Sequence, residues 1–246
     1  MKELELLCSL RTHHDRVQGL IDLLAQHPIE IDQYKEPKCN IYCYLDRGKD
    51  HMVALTSHHD IVNQASENCL DNNASIYNLL KLLDELDRPR LQYNTLIAFV
   101  DEEETGGGGI RRLMDRWRFD WHLDLELTAT GSCWCFHPYF DCPFLSDSDF
   151  HYRWLPGNNA WLANEYAKSI GRPYSGACLM MMDEEGFLGD IYDNWWKIHT
   201  DEDCLALADE AEMQKMRAHL AELLYRETHV LKSLKSQLPE GWKTDW

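Results

Sequence analysis

Apolar residues recur along the chain with two different periods, and segments of the two kinds alternate. Spacings of three and four residues predict amphipathic helices, whereas short continuous or alternating apolar runs predict strands. The predicted helices are residues 3–27, with a break around His13-His14, and residues 76–86, 110–117, 159–170 and 204 to about 234. The predicted strands are residues 40–45, 52–56, 95–100, 121–128 and 177–182. This alternation predicts an α/β protein, in which functional residues collect at the carboxyl ends of the strands.

The composition is that of a soluble globular protein. Of the 246 residues, 44% are hydrophobic and 27% are charged, and no repeat or linker divides the chain. We therefore expect residues 1–246 to form a single domain. No apolar run approaches the roughly 18–20 residues that span a bilayer, and the acidic N-terminus lacks a long apolar segment. These features predict a cytoplasmic protein without a membrane partner.

The formal net charge of −18 disfavours binding to nucleic acid or to an anionic membrane. Bound divalent cations would neutralise part of this charge. The nine cysteines form no regular framework, and without a secretory signal they are expected to be reduced thiols. Cys133 and Cys135 alone are too few for a structural zinc site, which needs four converging ligands.

Four consecutive acidic residues, 101–104, follow the predicted strand 95–100 and precede four glycines. Removing so many carboxylates from water is costly unless a cation or hydrogen-bond donors compensate. One interpretation is a solvated turn, in which the glycines let the backbone reverse. The other is a metal-bound carboxylate beside a general base. The second interpretation predicts further ligands at the ends of other strands.

Such residues follow the predicted strand 52–56. His58 and Asp60 are two residues apart and point the same way in an extended chain, so the aspartate can hold a metal-ligating histidine in one tautomer. A capped loop explains this pair equally well. Asp71 precedes the helix 76–86, where a carboxylate can cap the helix or bridge two cations. His13 and His14 are interpreted as surface or helix-end residues rather than ligands.

Two more clusters complete the series. Asp124 and Glu126 alternate on one face of the predicted strand 121–128, and His199 opens a His-Thr-x-x-Asp segment that ends at Asp203. Each cluster alone is a weak signal. Two histidines and three carboxylates in this order form the ligand set of a dinuclear zinc site.

In this order and spacing, the clusters resemble the zinc-dependent exopeptidase superfamily, which includes the M28, M20 and M42 peptidase families. The resemblance extends from about residue 5 to residue 235, as one catalytic domain without an inserted lid or dimerisation domain. It implies a three-layer αβα fold of the zinc-exopeptidase, or phosphorylase/hydrolase-like, type. The central sheet of that fold is mixed and mostly parallel.

The resemblance also implies roles for individual residues. The implied roles are His58 as a ligand of the first zinc ion with Asp60 supporting it, Asp71 as the bridge between both ions, Glu103 as the catalytic general base, and Glu104 and His199 as ligands of the second ion. Asp71 rather than the neutral Asn72 is the bridge. Glu126, in a Glu-Leu-Thr segment similar to the family's Asp-x-Thr, is favoured as the remaining ligand, with Asp124 as the alternative.

The implied function is that of a metal-dependent exopeptidase that hydrolyses an amide bond with water activated by two zinc ions, for which cobalt or manganese can substitute. An M28-like aminopeptidase acting on a peptide or amino-acid amide is favoured. The alternatives are an M20-like carboxypeptidase, an N-acyl amino acid deacylase, a glutaminyl cyclase and a non-catalytic binding module on the same fold. The aromatic segment 132–157 is suited either to wall a substrate pocket, to form a contact in a homo-oligomer, or to pack over the sheet.

Overall fold

An eight-stranded mixed sheet forms the centre of the computed structural model, which describes residues 1–138, 152–154, 175–183 and 195–226. The strands are β1 Ile29–Lys35, β2 Lys38–Leu45, β3 Met52–His58, β4 Asn94–Val100, β5 Trp121–Leu125, β6 Cys133–Pro138, β7 Tyr152–Trp154 and β8 Ser175–Met182. Their order across the sheet is β1-β2-β4-β3-β5-β8-β6-β7. The central strands β4, β3, β5 and β8 run parallel, whereas β1, β2 and β6 form antiparallel pairs.

Helices cover both faces of this sheet. The helices are α1 Lys2–Ser9, α2 His13–Leu23, α3 Ala74–Glu85, α4 Gly108–Arg116 and α5 Glu210–Leu224, with short 3₁₀ turns at Arg88–Arg90, Trp195–Lys197 and Leu205–Leu207. Apolar side chains of α1, α2, α3 and α5 share one buried cluster with one face of the sheet. Those of α4 pack in a second cluster on the other face. The predicted three-layer αβα fold with a mixed, mostly parallel sheet is therefore confirmed.

The central strands are buried on both faces, which explains their continuous apolar runs. In β3, Leu55 packs in the first cluster and Ala54 in the second, and in β4 the residues Ile97 and Ala98 divide in the same way. All four side chains are fully buried. A buried leucine or isoleucine side chain stabilises a fold by about 1.5–3 kcal/mol. Burial on both faces therefore fixes the positions of the central strands and of their carboxyl ends.

The N-terminal segment forms two helices, as the predicted break indicates. The α1 helix ends at Ser9, and Thr12 caps the second helix by accepting a hydrogen bond from the Asp15 N–H at 3.1 Å. The break therefore precedes His13, which is the first residue of α2.

Three expectations about secondary structure need correction. The C-terminal helix begins at Glu210 rather than at Cys204, because the Asp209 carboxylate caps it and accepts the N–H groups of Ala211 and Glu212. The edge strand β1 escaped prediction, since most of its side chains are not buried. Residues Cys133–Pro138, at the start of the aromatic segment, form a strand of the sheet that was not among the predicted strands.

Other predictions lie outside the described residues. These include the helix at 159–170, the end of the C-terminal helix and most of the aromatic segment, for which the suggested pocket or oligomer role stays a prediction. Within the described ranges, no helix is both long and apolar enough to cross a bilayer.

The parallel pairing of β3, β4 and β5 determines where the polar clusters lie. His58 at the end of β3 stands opposite Val100 at the end of β4, and β5 runs beside β3 in the same direction. The segments that follow these three strands consequently emerge at one edge of the sheet. This edge brings together residues 58–60, 101–104 and 126, as expected for the carboxyl ends of parallel strands.

Candidate metal centre

Two histidines and two glutamates surround Asp71. Its Oδ1 lies 2.8 Å from His58 Nε2, and its Oδ2 lies 3.0 Å from His199 Nε2. His58 Nε2 is also 3.5 Å from Glu126 Oε2, and His199 Nε2 is 2.9 Å from Glu104 Oε1. Each oxygen of Asp71 therefore faces a different His–Glu pair, which is the arrangement of a carboxylate that bridges two positions.

These groups line a pocket of about 270 Å³. The lining residues are His58, Asp71, Glu103, Glu104, Glu126 and His199, with Leu127, Met180 and Ile198 as the apolar part. His58, Asp71 and Glu126 are buried, whereas 38% of the His199 side chain is exposed. The pocket thus has a closed polar floor and an open side at His199.

Asp71 is held in place by a residue from a distant part of the sequence. The Asp203 carboxylate accepts hydrogen bonds from the backbone N–H groups of Leu70, at 2.6 Å, and Asp71, at 3.2 Å. Asn72 donates its side-chain N–H to the Leu125 carbonyl at 2.9 Å, so its amide faces β5. This arrangement places Asp71, and not Asn72, between the two histidines.

Asp60 connects the end of β3 with the acidic segment after β4. Its Oδ1 and Oδ2 accept the N–H groups of Glu103 and Glu104, each at 3.1 Å, and its Oδ1 lies 3.4 Å from His58 Nδ1. Burial alone would raise the pKa of Asp60, but His58, His59 and the Glu103 N–H hold it below its ordinary value. The ionised carboxylate fixes the backbone of both glutamates and orients His58.

Glu103 has the properties of a general base. Burial raises the pKa of its carboxyl group to about 7, and the negative charges of Glu104 and Asp71 act in the same direction, against the opposing effect of His58. A base whose pKa is close to neutral can both accept and return a proton. Its side chain lines the pocket, and neither histidine is paired with it in the way that each is paired with Glu104 or Glu126.

The structure separates the two candidates for the remaining ligand. Glu126 lies beyond the end of β5, where its Oε2 faces His58 and its buried Oε1 has no hydrogen-bond partner among the described residues. Asp124 lies within β5, and its Oδ1 accepts a hydrogen bond from the Thr56 hydroxyl. Asp124 is not among the residues that line the pocket. The geometry therefore brings Glu126 to His58.

In the absence of a metal ion, the ionisable side chains of the pocket reduce their mutual repulsion by binding protons. Burial disfavours the His58 imidazolium, but Glu126, Asp60 and Asp71 outweigh it and raise its pKa well above the ordinary value. A hydrogen bond to Asp71 and the charge of Glu104 raise the pKa of His199 to about 9. Burial likewise raises the pKa of Glu126, so that its neutral form is favoured.

This donor set fits a divalent cation. Ligand atoms of His58, Asp71 and Glu104 all lie within 4.8 Å of one another. Imidazole nitrogen and carboxylate oxygen are ligands that zinc accepts, and a cation would take the place of the protons that the cluster otherwise holds. Glu126 adds a further carboxylate, whose Oε2 lies 3.5 Å from His58 Nε2 and whose buried Oε1 has no hydrogen-bond partner among the described residues.

Sequence reasoning missed two residues that support the site. Asp203 was visible as the end of the His-Thr-x-x-Asp cluster, but its bonds to residues 70 and 71 depend on the tertiary fold. Arg16 left no signal: it is a fully buried arginine whose Nε donates to the His59 carbonyl at 2.8 Å. Burial lowers the pKa of Arg16 to about 10, while the charges of Asp60 and Asp71 oppose that change.

Solved structures share this fold, although no protein-family model and no curated protein matches the sequence. The aminopeptidase LapA of Legionella pneumophila is similar with a TM-score of 0.67 at 10% identity, over 94% of this chain and 71% of that one. BSAP, a zinc aminopeptidase from Bacillus subtilis, has a TM-score of 0.57 at 15% identity, over 79% of this chain and 50% of that one.

A glutaminyl cyclase from Porphyromonas gingivalis has a TM-score of 0.64 at 14% identity, over 91% of this chain and 94% of that one. At such low identities these likenesses establish a shared fold. The chain thus has a fold that is found in aminopeptidases, one of them a zinc enzyme, and in a glutaminyl cyclase.

Glu126 and Asp124 differ in their expected effect on metal binding. We expect Glu126→Gln to lower zinc affinity, because the amide removes a negative ligand that faces His58, whereas Asp124→Asn leaves zinc affinity close to that of the unaltered protein. Zinc titration against a competing chelator measures both. The opposite ranking of the two variants would assign the ligand to Asp124.

Asp203→Asn is expected to weaken zinc binding by about 10- to 100-fold, the usual effect of losing a residue that orients a ligand. An asparagine side chain has only one acceptor oxygen. Its NH₂ group would therefore face one of the two backbone N–H groups that the Asp203 carboxylate binds, and that hydrogen bond would be lost. The same chelator competition measures the loss. Asp201→Asn, an exposed change two residues away, is the control, and equal affinity in both variants would contradict the role of Asp203.

Proposed function

We propose that the protein is a metal-dependent exopeptidase that hydrolyses the N-terminal amide bond of a peptide or amino-acid amide. The observation that carries the proposal is the position of Glu103. Its carboxyl group, with a pKa of about 7, lies in the same pocket as two His–Glu pairs that share Asp71. A general base beside a bridged pair of ligand sets is suited to amide hydrolysis.

In this proposal the site holds two zinc ions, with cobalt or manganese as substitutes. His58, Asp71 and Glu126 would hold one, and Asp71, Glu104 and His199 the other. Zinc supplies a Lewis acid for the scissile carbonyl and lowers the pKa of water. The residues of the chain supply the rest.

Glu103 moves the proton in this reaction. Its carboxylate takes a proton from the attacking water and returns it to the amine that leaves, so no net proton is consumed. Asp60 keeps Glu103 in position through the hydrogen bond to its N–H. Leu127, Met180 and Ile198 form the apolar part of the pocket, where they can contact a substrate side chain and exclude water.

The side chains that line the pocket support an aminopeptidase among the exopeptidases. Four carboxylates line it, and none of the described lining residues is lysine or arginine. A carboxypeptidase or an N-acyl amino acid deacylase must bind a substrate carboxylate, for which a cationic side chain is the usual partner. A substrate with a free N-terminal ammonium group needs no such cationic partner.

A glutaminyl cyclase is a second candidate. The observation that favours it is the match in length: the structural likeness covers 94% of the Porphyromonas gingivalis enzyme, against 71% and 50% of the two aminopeptidases. Cyclisation of an N-terminal glutamine also needs a proton carrier, since the α-amine attacks the side-chain amide and ammonia leaves. Glu103 is equally placed for that step.

A substrate screen separates these functions. We expect the zinc-loaded chain to release free amino acid from aminoacyl amides and short peptides, and not from N-acylated or C-terminal substrates, because none of the described lining residues is a lysine or arginine that could bind a substrate carboxylate. An N-terminal glutaminyl peptide is included, and release of ammonia without cleavage of the peptide would indicate cyclase activity. Zinc binding without turnover of any substrate would identify a binding module instead.

Glu103→Gln tests the proposed base. The change keeps the size and polarity of the side chain but removes its ability to accept a proton, so we expect kcat to fall by about 10²–10⁴-fold with zinc content unchanged. Asp71→Ala, in contrast, should lose metal together with activity. The matched control is Glu102→Gln, since Glu102 bonds to Lys38 rather than lining the pocket. Full activity in the Glu103 variant would contradict the assignment.

A further inference from the structure

A second cluster of ligand-type side chains lies beside the first centre, where α2 meets the ends of β3 and β4. His13 is the first residue of α2, His59 follows β3 and Asp101 follows β4. Ligand atoms of the three residues all lie within 4.8 Å of one another. We propose that these three residues form a second metal site that binds Zn²⁺ and ties α2 to the strand ends that carry the candidate centre.

The distances fit a shared coordination sphere. His13 Nε2 lies 2.9 Å and His59 Nε2 lies 3.9 Å from Asp101 Oδ2. Zinc bonds of about 2.0–2.1 Å in a tetrahedron place neighbouring ligand atoms about 3.3 Å apart, a value between these two distances. His59 Nε2 donates a hydrogen bond to the Cys39 carbonyl at 2.8 Å, so a zinc ion at this position would replace that proton.

An unsatisfied nitrogen atom is a second, independent observation. His13 Nε2 lies 2.9 Å from Asp101 Oδ2 but makes no aligned hydrogen bond with the described residues, although the atom is buried. A buried polar atom without a partner is costly and needs an explanation. A metal ion on His13 Nε2 satisfies that atom and also uses a free lone pair of the carboxylate.

Asp101 is built as a fixed anion. Only 1% of its surface is exposed, and the N–H groups of Glu102 and Cys39 donate to its two oxygens at 2.7 and 2.9 Å. Burial alone would raise the pKa of Asp101, but the two histidines and the Cys39 N–H hold it below the ordinary value. A buried, ionised and immobile carboxylate is a prepared metal ligand rather than part of a solvated turn.

The second site is open to solvent at His13, and its ligand atoms favour zinc over other divalent cations. A quarter of the His13 side chain, 24%, is exposed, so an ion can enter and a water molecule can complete the coordination from that side. Two imidazoles and one carboxylate are donors that favour zinc over calcium or magnesium, which prefer oxygen ligands. The second site is separate from the first because neighbouring residues at a strand end point to opposite sides, and His58 and His59 follow this rule.

Zinc stoichiometry in the full-length chain tests this proposal. The protein is stripped with a chelator, reloaded with Zn²⁺ and dialysed, and metal content is measured by mass spectrometry. Asp71→Ala removes the first centre, so we expect this variant to retain one zinc per chain. Adding His13→Ala should abolish that zinc, whereas adding His14→Ala, the exposed neighbour on the same helix, should leave it bound.

Thermal melting gives a readout that does not depend on activity. Zinc should raise the Tm of Asp71→Ala and of its His14→Ala derivative, but not that of the His13→Ala derivative. His13→Gln and His59→Gln repeat the test with milder changes, and circular dichroism confirms that each variant is folded. The wild-type chain carrying His13→Ala should bind one zinc fewer than the unaltered protein.

The outcomes separate this site from the proposed function. Equal zinc content with His13 and with alanine at that position, in folded protein, would overturn the second site and show a hydrogen-bonded cluster only. Absence of peptidase activity in every assay, with the His13-dependent zinc still bound, would overturn the proposed function but support the second site.

Discussion

Repulsion between carboxylates is the constraint on which the candidate centre depends. The four that line the pocket are buried or half-buried, and like charges about 4 Å apart repel each other by about 4 kcal/mol at an effective dielectric constant of about 20. Without a cation the cluster holds protons instead, which is why the pKa values of Glu103 and His199 are both raised. A metal ion would release these protons, so metal affinity must rise with pH through the range in which His199 titrates.

Hydrogen bonds from the backbone convert this crowded arrangement into a defined one. Asp60 binds the N–H groups of two glutamates, and Asp203 binds those of Leu70 and Asp71. In both cases a carboxylate that does not face the pocket orients one that does. The parallel strands bring the segments together, and these two aspartates set the positions of the side chains within the reach of a metal ion.

Much of this arrangement follows from the order of residues along the chain. The central strands and the convergence of His58, Asp71 and Glu104 could be predicted, because each polar cluster follows a buried apolar run. Strict alternation does not separate Asp124 from Glu126, since it places both on one face of a strand, and only the Glu-Leu-Thr resemblance favours Glu126. In the structure β5 ends at Leu125, and Leu127 adopts a left-handed φ of 52°, so the backbone leaves the alternating path at this point. His13 is a helix-end residue, as the sequence predicts, but its proximity to Asp101 cannot be predicted from the sequence because it arises only when α2 packs against the sheet.

The position of His199 has a consequence for the order in which the protein is made. Asp71 and the three glutamates of the pocket all precede residue 127, whereas His199 follows Glu104 by 95 residues. During synthesis, the other ligands of the candidate centre therefore leave the ribosome well before His199 does. Asn63 donates a hydrogen bond to the His199 carbonyl at 3.1 Å, and this bond can form only after His199 has been synthesised. Until the segment around His199 packs against the sheet, only the ligands that precede it in the sequence could hold a metal ion.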